Sequence, residues 1–81
     1  MNLYLLEQND NTGYDTYDSC VVCAENEQDA ITISPDSRYT IEQKHPDTSW
    51  ARSIESVTCE FLGVANENIE RGIVLASFNA G

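Results

Sequence analysis

Ser19-Cys20-Val21-Val22-Cys23-Ala24-Glu25, followed directly by Asn26-Glu27-Gln28-Asp29-Ala30-Ile31, is the stretch from which the fold can be read. The first seven residues are apolar enough to form a central strand of a sheet. Asn26 has the short side-chain acceptor of a helix N-cap, and Glu27 and Asp29 place carboxylates in the first turn, at the positive end of the helix dipole. Ala30, Ile31 and Ile33 would supply the buried stripe. Pro35 stops the helix, because it disfavours helical geometry at Ser34. The expected helix is therefore about two turns long.

Working outward, Asn2 to Glu7 is a short apolar run that reads as a strand. Between the two strands, Gln8 to Asp18 is rich in Asn, Asp, Thr and Gly, which bond their own backbone or tolerate positive φ, so it reads as a loop. Beyond the helix, Pro35 to Ser53 is the least regular part of the chain, with Tyr39-Thr40-Ile41 alternating like a short strand. From Ile54 to Val64 the pattern sets Val57, Cys59 and Phe61 on one face and Thr58 and Glu60 on the other, as a half-buried strand does. Ala65 to Gly72 is a polar turn region, and Ile73 to Phe78 is a last strand, apolar throughout. The expected class is α+β: a small, mostly antiparallel sheet of about four strands with one short helix on one face, in the order β-β-α-β-β. The 81 residues make one domain, 1–81. A chain of this size buries only about 60% of its unfolded surface, so the core is thin and a homodimer would add to it.

Charge is the strongest compositional signal. Fourteen acids face four bases, for a formal net charge of −10. Eight of the acids precede Arg38, and no Lys or Arg does. Nucleic-acid binders need cations to displace counterions from phosphates, so this field repels DNA and RNA and attracts basic surfaces. Acidic charge also serves simply to keep a small chain soluble. The N-terminal run has no basic flank and is too short for a signal peptide, and no segment approaches a membrane span. With three cysteines, an odd number, reduced thiols in a cytoplasmic setting are expected.

Cys20-Val-Val-Cys23 has the spacing of a redox pair or half a zinc site. On a strand, however, residues three apart point to opposite faces, and no second pair completes four ligands. His45, the sole imidazole, has no nucleophile elbow around it and reads as a loop residue. No catalytic residue, metal or cofactor is expected. The segment Asn11 to Ser19 is the candidate binding surface: Tyr14 and Tyr17 offer flat apolar faces, and Asp15 and Asp18 accept hydrogen bonds from amines, riboses or Arg. Trp50, Phe78 and Asn79 join that surface if the ends of the sheet converge. The competing reading is that one tyrosine packs on the core and the acids cap turns.

Leu3-Tyr4-Leu5-Leu6, the Gly13-Tyr14-Asp15-Thr16-Tyr17-Asp18 loop and the Ser77-Phe78-Asn79-Ala80-Gly81 terminus together resemble a group of small uncharacterised proteins of bacteria and their phages. The resemblance spans most of the chain and brings no activity with it. It implies a phage accessory protein, of the kind that antagonises host defence by blocking a nucleic-acid-binding complex or by sequestering a nucleotide signal. A weaker likeness is to ubiquitin-like and sulfur-carrier proteins, because the element order fits and Gly81 ends the chain, but Ala80 stands where those carriers have a second glycine.

Three expectations follow. The first is a non-catalytic acidic protein that occupies a basic or nucleic-acid-binding protein surface. The second is a binder of a nucleotide-like small ligand, whose phosphates would need Arg38, Arg52 or Arg71 close by. The third is a carrier or enzyme acting through Gly81 or His45.

Overall fold

The computed structural model describes residues 1–43 and 45–80. Strands β1 (Asn2–Glu7), β2 (Thr16–Ala24), β3 (Thr58–Val64) and β4 (Gly72–Asn79) form one antiparallel sheet. Helix α1 (Glu27–Ala30) and two 3₁₀ turns, Ile41–Gln43 and Ile54–Ser56, lie between β2 and β3. The fold is thus the small α+β sheet expected from the pattern. Its spatial order is β3-β1-β2-β4, with the two N-terminal strands central and the two C-terminal strands at the edges.

Alternation along the central strands divides the sheet into two faces. Tyr4 and Leu6 of β1, with Cys20, Val22 and Ala24 of β2, are buried on one face. Against them pack Ala30, Ile33, Ile41, Trp50 and Ala51, so the core lies between the sheet and the segment 30–57. Trp50 is 0% exposed and is the largest fully buried side chain.

Asn26 caps α1 as its sequence predicts, accepting from the Asp29 N–H at 2.8 Å. The helix, however, is a single turn rather than two. After Ala30 the N–H groups of Thr32 and Ile33 reach back only three residues, to Asp29 and Ala30, and the Thr32 hydroxyl also donates to the Asp29 carbonyl. The β-branched run Ile31-Thr32-Ile33 before Ser34-Pro35 favours that tightening over a second α-turn. Other boundaries shift as well. β2 starts at Thr16 rather than Ser19, the Tyr39–Ile41 strand gives way to a 3₁₀ turn from Ile41, and β3 starts only at Thr58 because Ile54–Ser56 is a 3₁₀ turn.

The covering layer has little regular structure, so side chains must satisfy its backbone. Asn11 donates to the carbonyls of Thr48 (2.7 Å) and Trp50 (2.8 Å). Gln8 donates to the carbonyls of Asn11 and Tyr17 and accepts from the N–H groups of Asp10 and Asn11. Asp36, buried, accepts from the N–H of Ser49 (2.8 Å), the Ser49 hydroxyl (2.9 Å) and the N–H of Arg38 (2.9 Å). Burial opposes its charge, but the Ser49 and Arg38 N–H groups, with the Arg38 guanidinium and the Ser49 hydroxyl, outweigh it and hold the carboxyl well below the usual aspartate range.

The opposite face carries Leu3, Leu5 and Val21 with Cys23, and only one end of it is covered. Because β3 and β4 stand at opposite edges, the connection 65–71 crosses this face, and the Cys23 thiol lies 3.7 Å from the Ile69 carbonyl beneath it. Among the described residues no helix is long and apolar enough to cross a membrane.

Replacing Asp36 by Ala leaves the Ser49 and Arg38 donors unpartnered and should cost about 3 kcal/mol in urea unfolding at neutral pH. Asp36 has a lowered folded-state pKa. Its contribution is therefore complete above the ordinary aspartate value of about 4 and drains away as pH falls below it. The gap between wild type and Asp36→Ala should accordingly narrow with acidification. A gap that stays constant down to strong acid would contradict this role.

Candidate functional site

The β1–β2 turn is built on Gly13 (φ +123°) and Asp15 (φ +59°). Glycine adopts such backbone freely and aspartate is among the few side chains that tolerate it. The turn is fastened to the end of β4: the Asn79 side chain donates to the Gly13 carbonyl (2.7 Å), and the Asp15 N–H donates to the Asn79 carbonyl (2.6 Å). The ends of the sheet therefore do converge. Tyr17 and Phe78 lie with ring centroids 4.7 Å apart at 59°, a tilted aromatic pair. Tyr14 points away from the fold and is 80% exposed. Trp50 takes no part in this surface, since it is in the core; its indole Nε1 is buried without a hydrogen-bond partner.

Tyr17, Phe78 and Asp15 line an open cleft of about 260 Å³ together with Pro35, Asp36 and Arg38. Arg38 enters the cleft because Asp36 turns the chain there, bonding both its N–H and its guanidinium. The guanidinium also donates to the Asp47 carbonyl (3.2 Å) and stands 5.2 Å from the Tyr39 ring. Tyr39 in turn stacks on His45 at 3.9 Å. The His45 Nδ1 accepts from the Asp47 N–H, which ties the imidazole into its own loop.

Of the other cations, Arg71 makes a two-pronged pair with Asp29 (2.7–3.1 Å), and this pair lowers the Asp29 pKa. Arg52 donates from its side chain to Asn11, and its N–H is held by Asp10. Lys44 lies outside the described residues.

The uncovered face of the sheet forms a second surface. One row across the four strands reads Glu60–Leu5–Val21–Leu75, and the next reads Thr58–Glu7–Ser19–Ser77. Leu75 is 68% exposed. At the polar end, Glu7, Asn9, Asp18, Ser19 and Thr58 line an open cleft of about 360 Å³. None of the described arginines lines it, and the two ion pairs among the described residues, Arg38–Asp36 and Arg71–Asp29, lie elsewhere. Asp15 and Asp18 thus serve different clefts, although they are three residues apart.

The cysteines do not make a reactive pair. Cys20 is buried in the core and Cys23 under the 65–71 connection, on opposite faces of β2. Burial pushes the Cys20 thiol up to about 12, and burial with the nearby Glu27 charge raises Cys59. A protonated thiol is neither a nucleophile nor a metal ligand at neutral pH. Among the described residues no group of three or more His, Cys, Asp or Glu is placed to hold a metal ion.

The sequence pattern did not single out the uncovered face. The continuous apolar runs of Leu3–Leu6 and Ile73–Phe78 were its signal, since strands with apolar residues on both faces need a second cover or leave one exposed. Comparison with protein families, with curated proteins and with solved structures finds no match.

Iodoacetamide should leave Cys20 and Cys23 unmodified in the folded chain and alkylate all three thiols after denaturation, as read by intact mass. Rapid labelling of either buried thiol in the native state would reopen a redox or metal-binding role for the pair.

Proposed function

We propose that this chain is a non-catalytic acidic interaction protein that occupies a basic, nucleic-acid-binding surface on a partner protein, as a phage accessory protein acting against a host defence complex would. The observation that carries the reading is the uncovered sheet face. An apolar row of Leu5, Val21 and Leu75 lies beside Glu7 and Glu60, with Asp18 at its end. Apolar anchors set in an acidic rim suit a partner patch rich in Arg and Lys, where burial supplies affinity and the field supplies orientation and encounter rate. Tyr14, free of the fold, adds an aromatic contact beside Asp15. The acids mimic the charge of a nucleic-acid backbone, and with a net charge of −10 they attract such a surface from a distance.

The test is capture of partners from bacterial lysate on the tagged chain at low salt, followed by a salt wash and competition with nucleic acid. A basic, nucleic-acid-binding protein should be retained, leave with salt and be displaced by DNA or RNA. Glu7→Lys with Glu60→Lys should abolish the capture, and Asp15→Lys with Asp18→Lys should weaken it. Capture that survives reversal of all four charges would sink the proposal.

A second reading is a site for a nucleotide-like ligand, favoured by the convergence of Tyr17, Phe78 and Arg38 on one cleft. A base would stack on the aromatic pair and a phosphate would meet the guanidinium. It ranks second because Asp36 already engages Arg38 and Asp15 lines the same cleft. A nucleotide panel should then raise the melting temperature of the wild type and not of Arg38→Gln; no rise for any nucleotide removes this reading. The carrier alternative rests on Gly81, which lies outside the described residues.

A further inference from the structure

The sheet has two edge strands, and they differ in chemistry. β3 carries Glu60 near its middle, and each edge strand has one bulge, at Leu62 in β3 and at Val74 in β4. Self-pairing of β3 would bring two Glu60 carboxylates together. β4 reads Gly-Ile-Val-Leu-Ala-Ser-Phe-Asn from Gly72 to Asn79, with no ionisable side chain and no proline. Six of its eight residues are exposed, including Ile73, Val74, Leu75 and Phe78. β2 is its only strand neighbour among the described residues, so the outer row of N–H and C=O groups is open. Such an edge is a template for another strand, and proteins usually blunt it with Lys, Pro or short length. β4 has none of these.

The charge distribution selects the occupant. Every other strand, helix or turn carries a carboxylate: Glu7 in β1, Asp18 in β2, Glu27 and Asp29 in α1, Glu42 and Glu55 in the 3₁₀ turns, and Glu60 in β3. With a net charge of −10, two copies repel wherever those elements meet. β4 is the one element across which a second copy can approach without setting carboxylate against carboxylate. A basic partner gains nothing electrostatic at β4 and is drawn to the acidic face instead. We infer that β4 is a self-association edge, where two copies of the chain pair β4 with β4 antiparallel about a two-fold axis.

An antiparallel edge pairing is self-complementary: each copy donates and accepts through the same residues, so the open backbone groups of both are satisfied at once. The two four-stranded sheets become one continuous sheet, and the two acidic faces lie side by side. The inference does not depend on the proposed function, and its salt response has the opposite sign. Salt screens the repulsion between two like-charged copies and strengthens the dimer, whereas it weakens attraction to a basic partner.

Sedimentation equilibrium on the full chain across the micromolar range should show a mass rising toward twice 9.0 kDa, with the rise steeper at high salt. Hydrogen exchange at the amides of Gly72–Asn79 should slow as the dimer fills. Val74→Lys places a cation on the edge of each copy and should raise the dissociation constant on the order of tenfold, because a two-fold interface counts each substitution twice. A mass of one chain at every concentration and salt overturns the inference. So does a dimer that leaves β4 exchange unchanged. If Val74→Lys loses its native circular dichroism, the exchange measurement on the wild type decides alone.

Discussion

The buried carboxylate of Asp36 holds the second layer of this domain on its sheet. That layer contains Trp50, Ile33 and Ile41, which fill the core, yet only one helical turn and two 3₁₀ turns. Irregular chain of this kind cannot satisfy its own backbone, and an unsatisfied buried group costs as much as a lost hydrogen bond. Asp36 answers for the N–H groups of Arg38 and Ser49, and Asn11 answers for the carbonyls of Thr48 and Trp50. With Trp50 flanked by these bonds, the indole is pinned over Leu6, Cys20 and Val22 in one core cluster. Remove the bonds, and the hydrophobic layer has no defined course. Among the buried side-chain polar atoms of the described residues, the indole N–H is the one left without an acceptor.

The covering layer is unevenly shared between the two faces. Roughly 27 residues, from Ala30 to Ser56, cover one face, and seven more between β3 and β4 cover one end of the other. These segments leave the remainder of the second face open among the described residues. That opening leaves Leu75 of β4, in the same row as Leu5 and Val21, 68% exposed. Exposed apolar area in an acidic setting is the physical basis for both interaction surfaces argued above, and each follows from where the covering layer stops.

Local signals were legible in the sequence and long-range ones were not. Asn26 as a cap, Cys59 and Phe61 on the core side of β3, and the opposed cysteines of β2 all follow from side-chain chemistry and a period of two. The early start of β2 at Thr16 does not, because it is set by Tyr17 pairing with Phe78 at the far end of the chain. The single-turn helix reflects β-branched residues that weaken a helix already limited by Pro35. Aromatic character alone fits Trp50 to the surface patch, whereas its burial depends on Asn11 and Asp36, distant in sequence. Charge alone makes Arg38 a phosphate contact for a nucleotide, whereas its place beside Tyr17 and Phe78 depends on the local turn at Asp36.

The charges are the part of the design that composition and structure describe together. Among the described residues, Arg38 and Arg71 are each paired with a carboxylate, and Arg52 is held against Asn11, so the few cations serve the fold. Most of the acids that remain face solvent, where they repel one another and contribute little to packing. A fold with a thin core gains no stability from that arrangement, and a milder surplus of acid would keep it soluble. The surplus acquires a physical use when an opposite field is brought to it. On the proposed reading that field is a basic, nucleic-acid-binding protein surface, for which the uncovered face of the sheet would supply apolar anchors at the same place.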